Sequence, residues 1–155
     1  MRRLQSAARR IASCLATSPR LCAVLLFWRT LLPVLKYIVP VRVLARFMWS
    51  PPTESASGES ADADARLRSL LFIWQHGGRL FVSANCLERS LVLYRLLSKN
   101  GSNPRLILGV NRRDAGIAGH AWIEKDGRAF LDDMVQSYER LAIFGVNGRP
   151  AEVRP

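Results

Sequence analysis

Apolar residues recur at helical spacing in the first third of the chain and at alternate positions in the last third. Val41, Leu44, Ala45 and Met48 follow the i, i+3, i+4, i+7 pattern of one helix face, with Arg42 and Arg46 off that face. Pro40 stands where the first turn of a helix tolerates a missing N–H. Leu21, Val24, Leu25 and Trp28 repeat the spacing. Pro33 and Pro40 interrupt the apolar run from Leu21 to Trp49, so two or three short helices are expected there. No run reaches the roughly 18 uninterrupted apolar residues that a membrane span needs. A further helix is expected over about 61–76, with Leu67, Leu70, Leu71 and Trp74 on one face and Gly77-Gly78 as its stop. His76 falls in its last turn, where a capping role suits it better than catalysis.

The clearest helix begins at Asn85-Cys86-Leu87-Glu88. Asn85 is an N-cap type and Glu88 follows three residues later, the spacing of a capping box. Leu87, Leu91, Val92, Leu93, Leu96 and Leu97 make this helix apolar on most sides, which predicts burial. It should end at Lys99-Asn100-Gly101, and Asn103-Pro104 forbids its continuation. The period then changes to two. Arg105–Asn111 reads as a strand with Leu106, Leu108 and Val110 on one face. Arg112–Gly116 reads as a turn. Ala118–Lys125 alternates, with His120, Trp122 and Glu124 on one face and Ala121 and Ile123 on the other. Lys125-Asp126-Gly127 turns the chain, Arg128–Asp132 returns antiparallel, and Leu141–Val146 adds a last strand.

Charge divides the chain differently from hydropathy. The net charge is +11, but residues 1–50 hold nine Lys/Arg and no acid, while the remainder is close to balanced. Basic amphipathic helices of this kind suit an anionic membrane surface or an acidic partner, or pack on the rest of the protein with a solvated basic face. No nucleic-acid-binding motif accompanies the charge, so no nucleic-acid partner is expected. Residues 50–65, rich in Pro, Ser and acids, read as a linker or long loop. The expected division is a basic helical region over 1–50, a linker over 51–65 and the main domain over 66–155. Cys14, Cys22 and Cys86 are odd in number and lack a C-x-x-C spacing, which argues against a disulfide framework or zinc site and for a reducing cytoplasm. No metal and no cofactor is expected.

A thiol in the first turn of a helix faces unpaired N–H groups and the positive end of the dipole, both of which favour the thiolate. Cysteine hydrolysis further needs a base for that thiol and a group to orient the base. His120 is the only histidine on a strand pattern. The third group depends on hairpin register. A three-residue loop Lys125-Asp126-Gly127 places Asp132 opposite His120; a two-residue Asp126-Gly127 turn places Asp133 there instead. The three-residue loop is preferred, and the sequence leaves both open. Taken singly, Cys86 reads equally as a buried small hydrophobe, His120 as a core histidine, the aspartates as a strand end, and Glu88 and Arg89 as a cap and a surface or salt-bridging residue.

Together, Cys86-Leu87-Glu88-Arg89-Ser90-Leu91, then Gly109-Val110, then Gly119-His120-Ala121-Trp122-Ile123-Glu124 and Asp126-Gly127-Arg128 resemble the transglutaminase-like cysteine proteases that act as leader peptidases in lasso-peptide maturation. The resemblance covers roughly residues 61–133. It implies an α+β fold: a transglutaminase- or papain-like core, with the cysteine helix packed on a small antiparallel sheet and short N-terminal helices before it. It implies catalytic Cys86, His120 and Asp132, and a ribosomally made precursor peptide as substrate. It also implies two partners, a separate leader-recognition protein and an ATP-dependent macrolactam cyclase. This chain has no P-loop, so no nucleotide site is assigned to it. The backbone N–H of Cys86 is the expected oxyanion donor, with Asn85 or Gln75 as candidates for a second. Acyl transfer to an amine, or a non-catalytic scaffold for the precursor or a membrane, are the alternative readings.

Overall fold

The computed structural model describes residues 19–52, 85–113, 116–133 and 135–151. The helix expected over 61–76, its His76, most of the acidic linker and Gln75 lie outside them. Among the described residues three helices, α1 (Pro19–Ile38), α2 (Val41–Met48) and α3 (Cys86–Lys99), precede five strands. These are β1 (Arg105–Arg113), β2 (Gly116–Lys125), β3 (Arg128–Ala129), β4 (Glu139–Phe144) and β5 (Pro150–Ala151). The strands form one antiparallel sheet in the order β3-β2-β1-β4-β5. The fold is α+β, as expected.

Strand alternation separates two faces. Leu106 opposes Ile123 and Phe144 across the ladders, and all three join the core around α3. Ile107 opposes Trp122 and Ile143 on the other face, in a smaller cluster with Ala129, Val135 and Tyr138. Helix α3 is buried on most sides because α1 and α2 pack on it away from the sheet. Trp28 and Leu32 of α1 and Leu44, Ala45 and Met48 of α2 share one core with Leu91, Tyr94 and Leu97. The basic helices therefore have a packed face as well as a solvated one.

Two expectations fail in α1 and one holds in α2. Helix α1 runs unbroken through Pro33, rather than stopping there. A proline inside a helix costs about 3 kcal/mol through its lost hydrogen bond and ring clash. Here the residues around it, Leu31, Leu32 and Leu35, all pack on the core, and that burial offsets the cost. The buried stripe is centred on Trp28 and Leu32, and Val24, expected inside, is exposed. In α2 the expected face holds: Leu44, Ala45 and Met48 are buried, and the Pro40 carbonyl accepts from Val43 and Leu44 N–H.

Candidate active site

Helix α3 starts as its sequence demands. The Asn85 side chain accepts from Leu87 N–H at 3.3 Å, and its carbonyl takes the first helical bond from Arg89 N–H. Cys86 is the first helical residue, half-buried, and its Sγ donates to the same Asn85 Oδ1 at 3.1 Å. Glu88 does not close the capping box. It is buried, and its Oε1 accepts from Lys36 Nζ of α1 at 2.7 Å. A carboxylate removed from water needs a cation more than a second backbone N–H, and α1 supplies one. That bond, with the Glu88 charge, raises the Lys36 pKa above its ordinary value.

His120 stands on β2 opposite Gly109 of β1. Its ring stacks near Trp122, with centroids 6.0 Å apart, and tilts against Tyr138 at 4.9 Å. Two aromatic neighbours restrict the rotation of the imidazole before any hydrogen bond is made. Gly109 permits this arrangement: a Cβ there would lie 2.6 Å from Trp122 Cζ3 and 2.9 Å from the Glu139 carbonyl. Trp122 Nε1 in turn points to Glu124 Oε1 at 3.4 Å, and Arg140 holds that carboxylate at 2.7 Å. The face shared by His120, Trp122 and Glu124 is the one read from the alternation.

The preferred turn was wrong, yet the preferred aspartate is the one that reaches His120. Lys125 pairs with Arg128 and Glu124 with Ala129, so the loop is the two-residue Asp126-Gly127 turn. Both of its residues take positive φ, 53° and 76°, matching the right-handed twist of a tight hairpin. Continued to His120, that register would bring Asp133 opposite. It does not continue. After Phe130 N–H bonds the Ile123 carbonyl, Leu131 turns to φ 57° and takes the chain out of the ladder. Asp132 then faces the ring, with Oδ2 at 2.9 Å from His120 Nε2, while Asp133 is exposed.

The edge of β2 that β3 vacates is occupied by α3. Carbonyls two residues apart on a strand point to the same side, so Ala121 O projects where Ile123 O meets β3. Ser90 Oγ donates to it at 2.9 Å. Arg89, one residue earlier, gives Nη2 to the same Asp132 Oδ2 that His120 contacts. The Arg89 and His120 contacts to Asp132 are sheltered, with the Asp132 side chain 5% exposed, Arg89 18% and His120 15%. The His120–Asp132 pair and the first turn of the cysteine helix are thus joined at one carboxylate. The ring nitrogen left for a sulfur is Nδ1. In this structure Cys86 Sγ is bonded to Asn85 and not to His120.

A comparison with family profiles matches residues 22–143 to the Transglutaminase-like superfamily. The chain belongs to that superfamily. The match includes α1 and α2 as well as the cysteine helix and the sheet. Comparisons with curated proteins and with solved structures give no significant match. Transglutaminase-like domains include cysteine proteases and acyltransferases, both of which act through a thioester. Among the described residues no group of His, Cys, Asp and Glu is placed to hold a metal ion. A cleft of about 530 Å³ lies by Asn103, Glu124 and Asp126, at the turn end of β2 and away from His120.

Sequence reasoning missed Tyr138 and the Lys36–Glu88 pair, and left Arg89 without a named partner. The salt-bridging reading of Arg89 holds, with Asp132 as the partner that no local pattern names. Tyr138 lies beyond any pattern the strands gave. The Lys36–Glu88 pair joins residues 52 apart, which no local signal announces.

Proposed function

We propose that this chain is a cysteine endopeptidase that removes the leader from a ribosomally synthesised lasso-peptide precursor. The observation that carries the reading is the His120–Asp132 pair, tied by Arg89 to the helix that Cys86 begins. Membership of the superfamily supports thiol chemistry, and the C-L-E-R-S-L and G-H-A-W-I-E motifs support the leader-peptidase branch.

In this mechanism Cys86 leaves the Asn85 carboxamide and gives its proton to His120 Nδ1. Asp132, on Nε2, holds the tautomer and orientation of the ring. The thiolate attacks the carbonyl at the leader–core junction. The Cys86 backbone N–H, which the helix leaves without an internal partner, stabilises the oxyanion. The C–N bond breaks, His120 protonates the leaving amine, and water activated by His120 hydrolyses the thioester to free the thiol. The reading includes a separate leader-recognition protein and an ATP-dependent cyclase as partners, a cytoplasmic setting, and no cofactor in this chain.

Mass spectrometry of a precursor incubated with this protein and its recognition partner tests the proposal. Cleavage is expected with wild type and with Asp133→Ala, and lost with Cys86→Ala. Asp132→Ala should reduce it by orders of magnitude. Cleavage that survives Cys86→Ala would establish the scaffold reading. Cleavage that survives Asp132→Ala and fails in Asp133→Ala would reverse the assignment of the acid. Transfer to an added amine in preference to water would make the enzyme an acyltransferase on the same residues.

A further inference from the structure

Among the described residues, most exposed large hydrophobic side chains lie on α1 and α2. Leu26, Phe27, Val34, Tyr37 and Ile38 of α1 and Phe47 of α2 are each 56% or more exposed. Their placement follows helical geometry. Leu26 and Tyr37, and likewise Phe27 and Ile38, are eleven residues apart, about three turns, and Val34 lies between the two rows. Trp28 and Leu32 point the other way, into the core. Helix α1 is therefore apolar on its outer arc as well as its inner one, which in a water-facing helix is a surface awaiting a partner.

Helix α2 extends this surface and charges its rim. Phe47 packs edge-on against Trp28 at 5.8 Å, beside the Phe27 ring. Arg42 and Arg46 are exposed on the same short helix, and the first fifty residues contain no acid. A second copy docked through this same face is a poor occupant, because it would bring Arg42 and Arg46 against their own kind, and α1 and α2 carry no carboxylate to meet them. Among the described residues no helix is long and apolar enough to cross a membrane.

We propose that the outer face of α1, with Phe47, Arg42 and Arg46 of α2, is a peripheral docking surface for an anionic lipid bilayer. The apolar side chains enter the headgroup–acyl boundary, Tyr37 keeps its hydroxyl among the headgroups, and the two arginines meet lipid phosphates. The inference is independent of the peptidase reading. It sets the opposite side of α1, and the core it covers, toward α3 and the site.

Vesicle co-sedimentation of the full chain tests it, with phosphatidylcholine vesicles compared against vesicles containing phosphatidylglycerol. Partition into the anionic vesicles is expected and should weaken in high salt. Arg42→Glu with Arg46→Glu should lower it by at least about thirtyfold, from roughly a factor of five for each surface cation lost. Phe27→Ser with Ile38→Ser should lower it by more than about tenfold through lost apolar burial. All four side chains are solvent-facing, so melting temperature should stay near that of wild type. No partition into anionic vesicles, equal partition into neutral ones, or binding unchanged by the Phe27/Ile38 pair would each overturn the proposal. Binding to an acidic polypeptide competitor with no lipid partition would assign the face to a protein instead.

Discussion

Arg89→Met tests whether the cysteine helix and the His120–Asp132 pair operate as a unit. The change keeps the length and helix propensity of the side chain and removes its charge and donors. What remains is a carboxylate 5% exposed that has lost the Arg89 guanidinium but still faces His120. Losing a charge-assisted hydrogen bond costs about 1.5–3 kcal/mol, and breaking a fully buried ion pair about 3–5 kcal/mol. Arg89 is 18% exposed and His120 stays as a partner, so the expected loss lies near the lower figure, about 2 kcal/mol. For a domain of this size that is about 4–8 °C in melting temperature. The catalytic expectation is separate. With its oxygen no longer fixed by α3, Asp132 holds the imidazole less firmly, and kcat for precursor cleavage should fall at least about tenfold with KM unchanged. Arg89→Lys should restore part of both losses, because an ammonium supplies the charge without the planar fork. Cleavage kinetics and a thermal melt on the three proteins decide the matter. Wild-type kcat in Arg89→Met, whatever its melting temperature, would refute the coupling.

Three further outcomes are expected. Tyr94 is buried, its hydroxyl donates to the Gly145 carbonyl and accepts from Gly148 N–H, and burial pushes its pKa up to about 12 from 10.0. The neutral phenol is the form the fold keeps, so its contribution is whole below pH 10 and fades as pH rises through about 12, a loss of about 2–3 kcal/mol. Lys36, also raised, loses its pairing with Glu88 above pH 10.5, so the Tyr94 share is the difference between wild type and Tyr94→Phe in urea unfolding across that window. A Tyr94→Phe protein with the same alkaline slope would contradict this. Gly148 has φ 62°, and a Cβ would lie 2.4 Å from Arg46 N, so Gly148→Ala must push α2 away and should cost over about 2 kcal/mol. Gly109→Ala should drive Trp122 off its seat and, through the stacked ring, lower cleavage more than its melting temperature suggests; equal activity would refute that link.

What the sequence made legible was whatever repeats over short distances. The period-two run put His120, Trp122 and Glu124 on one face, the start and stop signals bounded the cysteine helix, and the α2 face was read correctly. What it hid depends on partners far along the chain. Pro33 looks like a break until α1 is seen to bury Leu31, Leu32 and Leu35 around it. Glu88 looks like half of a capping box until Lys36 arrives from another helix. Cap geometry and ion pairing compete for one carboxylate, and burial decides in favour of the pair.

Asp132 shows how such a competition decides the site itself. The turn chemistry of Asp126-Gly127 is strong enough to impose a two-residue hairpin, and that hairpin by itself would deliver Asp133 to His120. Two residues of pairing are too few to hold the returning strand in register. Leu131 adopts a left-handed conformation, uncommon for a leucine and sustained only where its surroundings favour it. Leu131 packs at the edge of the main core, and the residue after it meets Arg89 and His120 together. Apolar contact on one side and a shared carboxylate on the other both reward the departure from the ladder. The position of the acid is therefore set by α3 as much as by the hairpin. A reading of the strands alone, however accurate its turn, lacks the element that selects between the two aspartates.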